Sequence, residues 1–276
     1  MELLHTSVSV GAPEPFTVLH MSDTHLTKAD ERNDERKIKL AERRKNSFPE
    51  ADEMLPAAAK LAKENNCPII HTGDLIDFVS EANLDEAEKF TSENDCFAAA
   101  GNHEFSLYVG EAREDAAYRA QSLPRVQRAF GNNIRFSSRI IGGVNFVAVD
   151  NSYYLFERFQ LDGLKTECEK GLPVVLCVHT PLYEEKLYDF LMRGKPADEP
   201  AYLMSVPEEK MKNYSPDRYL QQKEDEVTRE AYEYILSEKR IRCILTGHVH
   251  CAFEFPIADK MQLGVGCTDL RLVRFK

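Results

Sequence analysis

Short apolar runs that stop abruptly at polar residues set the rhythm of this chain. "FTVLHM" ends at Ser22 and Asp23, "CPIIHT" at Gly73 and Asp74, and "CFAAA" at Gly101 and Asn102. "LPVVLCV" ends at His179, and "IRCILT" at Gly247 and His248. Runs this short, rich in Val and Ile and bounded by Gly or Pro, predict buried strands. Between them the apolar spacing becomes helical over 50–65, 82–93, 111–129 and 224–239, with Pro56 either kinking the first of these or marking its start. Strands alternating with helices predict a layered α/β architecture.

Three stretches depart from that alternation. Residues 134–150 hold two strand-like halves about Gly142 and Gly143, a hairpin signal, and the closing "LRLVRFK" reads as another strand. A mixed sheet, or two sheets packed face to face, is therefore expected, with His5 in an edge strand and without a role. Residues 28–45 are dominated by charge at i, i+3 and i+4 spacing, which reads as a solvated helix rather than one that contacts substrate. Residues 184–225 carry Pro196, Pro200, Pro207 and Pro216 among charges and tyrosines. That segment is long for a plain connection, so it is either a lid over a site or a surface excursion. With no internal repeat, the expectation is a single domain over 1–276, with a charged helical insertion near 28–47 and the lid or excursion near 184–225.

Composition narrows the classes. A chain of 276 residues with 43% hydrophobic side chains can bury a substantial core. Its 35 basic and 46 acidic side chains leave a formal charge of −11, which argues against nucleic acid held by phosphate neutralisation. A phosphorylated small molecule is still allowed, because bound metal ions invert the local field. The cysteines (Cys67, Cys96, Cys168, Cys177, Cys243, Cys251 and Cys267) form no CxxC pair and read as reduced thiols of a cytoplasmic protein. The N-terminus has no basic stretch followed by an apolar one, and no run approaches the roughly 20 apolar residues of a membrane span.

The polar residues at the strand ends share one chemistry. Asp23, His25, Asp74, Asp77, Asn102, His103, His179, His248 and His250 are metal ligands or proton carriers by type. Sites in open α/β sheets form beyond the carboxyl ends of strands, so these distant residues can converge. Asp23-x-His25 and His248-x-His250 each place two ligands on one side, if the segment is extended. Carboxylate and imidazole without thiolate suit Mn, Fe, Zn or Ni. Two such pairs plus Asp74, Asn102 and His179 exceed one coordination sphere and fit two ions sharing a carboxylate.

In order along the chain, "DTH", "GDLID", "GNHE", the His of "VHTP" and "GHVH" resemble the five motifs of the calcineurin-like metallophosphoesterases. The resemblance implies a four-layer β-sandwich of two mixed sheets flanked by helices. It also implies a ligand set: Asp23, His25, Asp74 and His250 on one metal, and Asp74, Asn102, His179 and His248 on the other, with Asp74 bridging. His103 would be the catalytic imidazole near the leaving group, and Asp77 would support a ligand rather than bind metal itself. Two cations about 3.5–4 Å apart would activate a bridging hydroxide for in-line attack on a phosphomonoester or phosphodiester.

The same motifs divide the substrate options. Asp77 is followed by Phe78 and Val79, where the family's protein Ser/Thr phosphatases carry a phosphate-gripping Arg, so that class is disfavoured. "MSDTHL" with "GDLID" looks more like bacterial-type members acting on small molecules or cyclic nucleotides. The alternatives are a non-catalytic protein-binding scaffold, disfavoured by the full ligand set with His103, and a nuclease, disfavoured by the acidic balance. Among the remaining polar residues, His20 and His71 read as satisfied core histidines, Asp150 and Asn151 as turn formers, and Cys251 as a buried thiol. Gly101 reads as a tight-turn residue, and Glu104 as either a turn residue or a hydrogen-bond partner of a neighbour.

Overall fold

The computed structural model describes residues 1–109 and 116–276. In chain order the strands and helices are β1 (Glu2–Val8), β2 (Phe16–Met21), α1 (Glu35–Lys45), α2 (Ala51–Glu64), β3 (Ile69–His71), α3 (Glu81–Glu93), β4 (Cys96–Ala98) and α4 (Ala116–Val126). There follow β5 (Phe136–Ile141), β6 (Val144–Val149), α5 (Arg158–Glu169), β7 (Val174–Cys177), α6 (Glu185–Met192), α7 (Glu208–Met211) and α8 (Pro216–Gln222). The chain closes with α9 (Glu226–Ser237), β8 (Ile241–Thr246), β9 (Phe253–Ile257), β10 (Lys260–Gly264) and β11 (Asp269–Phe275). Each strand expected from the apolar runs is present. Of the helix expected over 111–129, residues 111–115 lie outside the described residues. Pro56 lies inside α2 rather than at its start.

The strands form two mixed sheets, in the orders β1-β11-β2-β3-β4 and β5-β6-β7-β8-β10-β9. Side-chain alternation along each strand then builds four layers. On β2, Val18 points between the sheets, into a cluster with Phe146, Val175, Cys243, Leu263 and Phe275. Its neighbours Leu19 and Met21 point outward, against Met54, Leu55 and Ala58 of α2 and Leu84 and Ala87 of α3. The second sheet repeats the device, packing Val147, Leu176 and Ile244 on Leu161 and Leu164 of α5 and Ala231 and Ile235 of α9.

Two appendages sit on this frame. The charged segment is helical only from Glu35, where Asp34 caps α1 by accepting from the Lys37 N–H, and Leu40 and Ala41 anchor it on Phe78. Helices α6 to α8 have their own apolar cluster, Leu187, Leu191, Leu203, Val206, Met211 and Tyr214, seated on Phe253 of β9. Among the described residues no helix is long and apolar enough to cross a membrane.

Parallel pairing decides where the chemistry gathers. Strands β2, β3 and β4 are mutually parallel, as are β6, β7 and β8. Their carboxyl ends share one edge of the sandwich, and the loops that follow carry the polar residues picked out by the sequence.

Candidate metal centre

The expectation that Asp23-x-His25 converges by strand alternation is corrected by the backbone. Strand β2 ends at Met21, and Asp23 and His25 both adopt left-handed φ, 55° and 51°. Asp74 (56°), His248 (68°) and His250 (52°) do the same. Left-handed backbone is uncommon and costly for non-glycine residues and persists where the surroundings over-determine it, as functional sites do. Here the surroundings are the other loops. Asp23 N–H donates to the Gly73 carbonyl and His25 N–H to the Asp74 carbonyl, each at 2.9 Å. His248 N–H donates to the Asp23 carboxylate (2.9 Å to Oδ2) and His103 N–H to Asp74 Oδ1 (2.8 Å). Each loop therefore holds a neighbouring one.

The glycines permit this closeness. A Cβ on Gly101 would collide with the Asp74 carboxylate and backbone, and one on Gly247 with Ser22 and Asp23. Gly101 is thus required for close approach.

Among the described residues three constellations result: His25, Asp77 and His103 form one, and the other two share Asp74. Ligand atoms of Asp23, His25, Asp74 and His250 lie within 4.8 Å of one another, and so do those of Asp74, His179 and His248. Asp74 belongs to both. His25 Nε2 stands 3.1 Å from His250 Nε2, and His179 Nε2 stands 3.2 Å from His248 Nδ1. Asn102 lines the same cavity beside Asp74 and His103.

The Asp23 and Asp74 carboxylates are 0% and 1% exposed, and among the described residues no Lys or Arg lies within 4.0 Å of either. Buried anions need a counter-charge. Convergent imidazole nitrogens around anions that lack a fixed cation are the donor set divalent ions require, so the residues present fit the metals implied by the family motifs.

The proton distribution agrees. Burial opposes ionisation of Asp23, but His25 and His250 hold its carboxyl well below the usual range. Asp74 is also lowered, burial being outweighed by His179 and His103. Burial disfavours charge on His179, yet Asp74 raises it to about 9; for His103 the Asp74 and Asp77 carboxylates overcome burial and raise it to about 10. His248 goes the other way, to about 3, through burial and the nearby His179. A cation bound here displaces the proton from His179.

Arg44, Phe48 and Tyr154, which the sequence did not single out, join the residues around the centre. Asp77 Oδ1 meets His25 Nδ1 at 2.9 Å and His103 Nδ1 at 3.1 Å, while Arg44 donates to both its oxygens, Nε to Oδ2 at 2.6 Å and Nη2 to Oδ1 at 2.8 Å. Phe48, just beyond α1, stacks on the His25 ring with centroids 4.0 Å apart and planes 8° from parallel. So α1 is not merely a solvated helix. It braces one half of the centre through Asp77.

Glu104 accepts from the backbone N–H groups of Gly101 (2.6 Å), Asp74 (2.8 Å), Leu75 (2.7 Å) and Ile76 (3.3 Å), tying two loops together. Burial and the Asp74 charge raise it to about 7. Asp150 and Asn151 make local turn bonds as expected, Asp150 Oδ1 accepting from the Ser152 N–H and the Asn151 carbonyl from the Tyr154 N–H; Asn151 also accepts from the N–H groups of His179 and Thr180, both at 3.0 Å, and Asp150 is buried against Arg119 and Arg135. Tyr154 places its hydroxyl 2.8 Å from His248 Nε2. With Nδ1 aimed at the cluster, that contact fixes the ring and its tautomer. His20 and His71 are buried as expected, bonded to Thr72 and Thr24 and lowered in pKa first by burial, but among the described residues His20 Nδ1 has no hydrogen-bond partner, so His20 is only half satisfied.

Above these residues opens a cavity of about 910 Å³. Asp74, Asn102, His103, His248 and His250 line its floor; Leu191, Lys195, Tyr202, Ser215 and Arg218, all from the 184–225 excursion, line the facing wall.

Aspartates and histidines gathered at the parallel strand ends of such a sandwich define a class, the metal-dependent hydrolases of phosphate esters. Residues 16–252 match the family described as calcineurin-like phosphoesterase, and the chain belongs to that family. Among solved structures it is similar to a dimetal phosphatase from Danio rerio, at 12% identity over 91% of this chain and 88% of that one, with a TM-score of 0.52. It is also similar to a phosphopantetheinyl hydrolase from Mycobacterium tuberculosis, at 11% identity over 91% and 89% of the two chains, TM-score 0.50. At these identities the likeness is one of fold. No curated protein sequence gives a significant match.

Proposed function

We propose that this phosphoesterase hydrolyses a small-molecule phosphate ester, a monoester or a diester such as a cyclic nucleotide, and that the whole chain acts as one domain. The single observation that carries the reading is the pair of carboxylate–imidazole constellations sharing Asp74 on the floor of a ligand-sized cavity. In this reading Asp23, His25, Asp74 and His250 hold one ion and Asp74, Asn102, His179 and His248 hold the other. The ions, Mn, Fe, Zn or Ni, supply Lewis acidity to phosphoryl oxygens and lower the pKa of water.

The chain's own residues do the rest. His103 has Nδ1 engaged by the Asp77 carbonyl at 2.8 Å and carboxylate, so Nε2 is the nitrogen left to donate a proton to the departing oxygen. The Asp77 carboxylate and carbonyl at Nδ1 favour the protonated ring. Arg44 and Phe48 keep Asp77 and His25 from rotating, and Tyr154 does so for His248. Free cysteines throughout suit a reducing cytoplasm.

The test is metal analysis of the purified protein together with hydrolysis of p-nitrophenyl phosphate and bis(p-nitrophenyl) phosphate in Mn, Fe, Zn and Ni. About two ions per chain and turnover of either ester are expected. Protein that binds no metal and cleaves neither ester would overturn the reading.

A further inference from the structure

We infer that the substrate's leaving group carries a second anionic group, a phosphate or carboxylate, which Arg218 and Lys195 hold on the wall facing the histidine floor. The inference rests on the phosphoesterase reading above and adds the substrate class.

The wall is what the floor does not explain. A cavity of about 910 Å³ is far larger than an orthophosphate needs, so a substantial leaving group fits above the histidines. That space is walled by Tyr154, Tyr202, Leu191 and Val249, with Lys195 and Arg218 as its cations. Neither cation has a carboxylate within salt-bridge distance among the described residues, whereas Lys210 and Lys223 of the same excursion pair with Glu185 and Glu208. Among the described residues Lys186, Arg193 and Lys212 also lack carboxylate partners, but they are not in the described lining of the cavity. Asp217 is the one carboxylate of the described lining besides Asp74.

Arg218 is aimed rather than free. Its Nη1 donates to Gln221 Oε1 at 2.6 Å, and its guanidinium lies 5.7 Å from the Tyr202 ring centroid. Tyr202 in turn meets the His248 ring edge-on at 5.9 Å. The guanidinium therefore stands one aromatic ring beyond the floor. Tyr202 is held there in left-handed backbone (φ 57°), and the Ala201 N–H before it donates to the Tyr214 hydroxyl at 2.9 Å. A phosphoryl group on the floor and an anion at Arg218 are thus bridged by a leaving group running across Tyr202. A planar guanidinium with free donors is the side chain suited to carboxylate or phosphate, and a nearby ammonium adds charge without demanding geometry.

Matched esters test this on the metal-loaded full-length enzyme. Adenosine 5′-monophosphate is compared with adenosine 3′,5′-bisphosphate, and glycerol 3-phosphate with 3-phosphoglycerate; the readout is the ratio of kcat/KM within each pair. The member with the second anion should be favoured by about tenfold or more in at least one pair, which also tells a phosphate from a carboxylate. In the Lys195→Ala, Arg218→Ala double variant the ratio should collapse towards one, mainly through KM. A ratio of one in both pairs for the unaltered enzyme, or an undiminished ratio in the double variant, overturns the inference. If p-nitrophenyl phosphate or bis(p-nitrophenyl) phosphate is cleaved while the ratios stay at one, this inference alone fails; if the protein binds no metal and cleaves neither, the phosphoesterase reading fails with it.

Discussion

Asp23 and His25, beneath the cavity floor, are buried completely, and loops on both sides hold them in strained backbone; Leu220 on the facing wall is 69% exposed. The floor is assembled from six parallel strand ends whose loops bond to one another, so moving one ligand disturbs its neighbours. The wall rests on a small apolar cluster of its own, built around Leu187, Leu191 and Leu203. Rigid, over-determined positions suit groups that must meet a transition state, and a separately packed element suits recognition of a leaving group that differs from one substrate to another. Within one cavity the chain thus separates chemistry from selection.

The sharpest way to break that division is at the floor. Asp74→Asn removes the carboxylate common to both constellations, so bound metal and turnover should fall together, the latter by at least about a thousandfold. Metal analysis beside steady-state kinetics reads both, and full metal occupancy would defeat the shared-ligand assignment. His103→Ala should lower kcat by about 10²–10⁴-fold while metal content stays near that of the unaltered protein. If metal were lost as well, His103 would be a ligand.

Arg44→Ala tests whether α1 belongs to the floor. It leaves the Asp77 carboxylate buried without its guanidinium, and metal affinity should weaken about 10- to 100-fold, with partial recovery in Arg44→Lys. Unchanged affinity by competitive chelation would return α1 to the status of a solvated helix. The smallest effect belongs to the wall. Leu187→Ala opens a hole in the excursion's own cluster, so hydrogen exchange should rise across 185–222 while the sheets stay protected. KM should rise a few-fold with kcat largely kept. Faster exchange throughout the sheets would show that wall and floor unfold as one unit.

How much of this was legible before folding varies by residue. The apolar runs located the strands, because a buried strand must be apolar over its own short length and that requirement is local. The same runs located Asp23, Asp74, His179 and His248, since each stands at a strand's carboxyl end. Glu104 was visible in the sequence without a role: its four backbone donors come from residues 74–76 and 101, and nothing in "GNHE" specifies that meeting. Arg44 was hidden among many similar charges, and only the docking of Leu40 and Ala41 on Phe78 turns it toward Asp77.

The sequence by itself determined which ligand types the chain has and that they stand at strand ends, because side-chain chemistry and hydrophobic period are written residue by residue. Tertiary structure alone decided that those ends share one edge, that the pairs converge through left-handed backbone rather than an extended segment, and that residues 184–225 face the floor. Those outcomes depend on contacts between segments up to 225 positions apart, such as His25 with His250. No local pattern encodes a contact of that range.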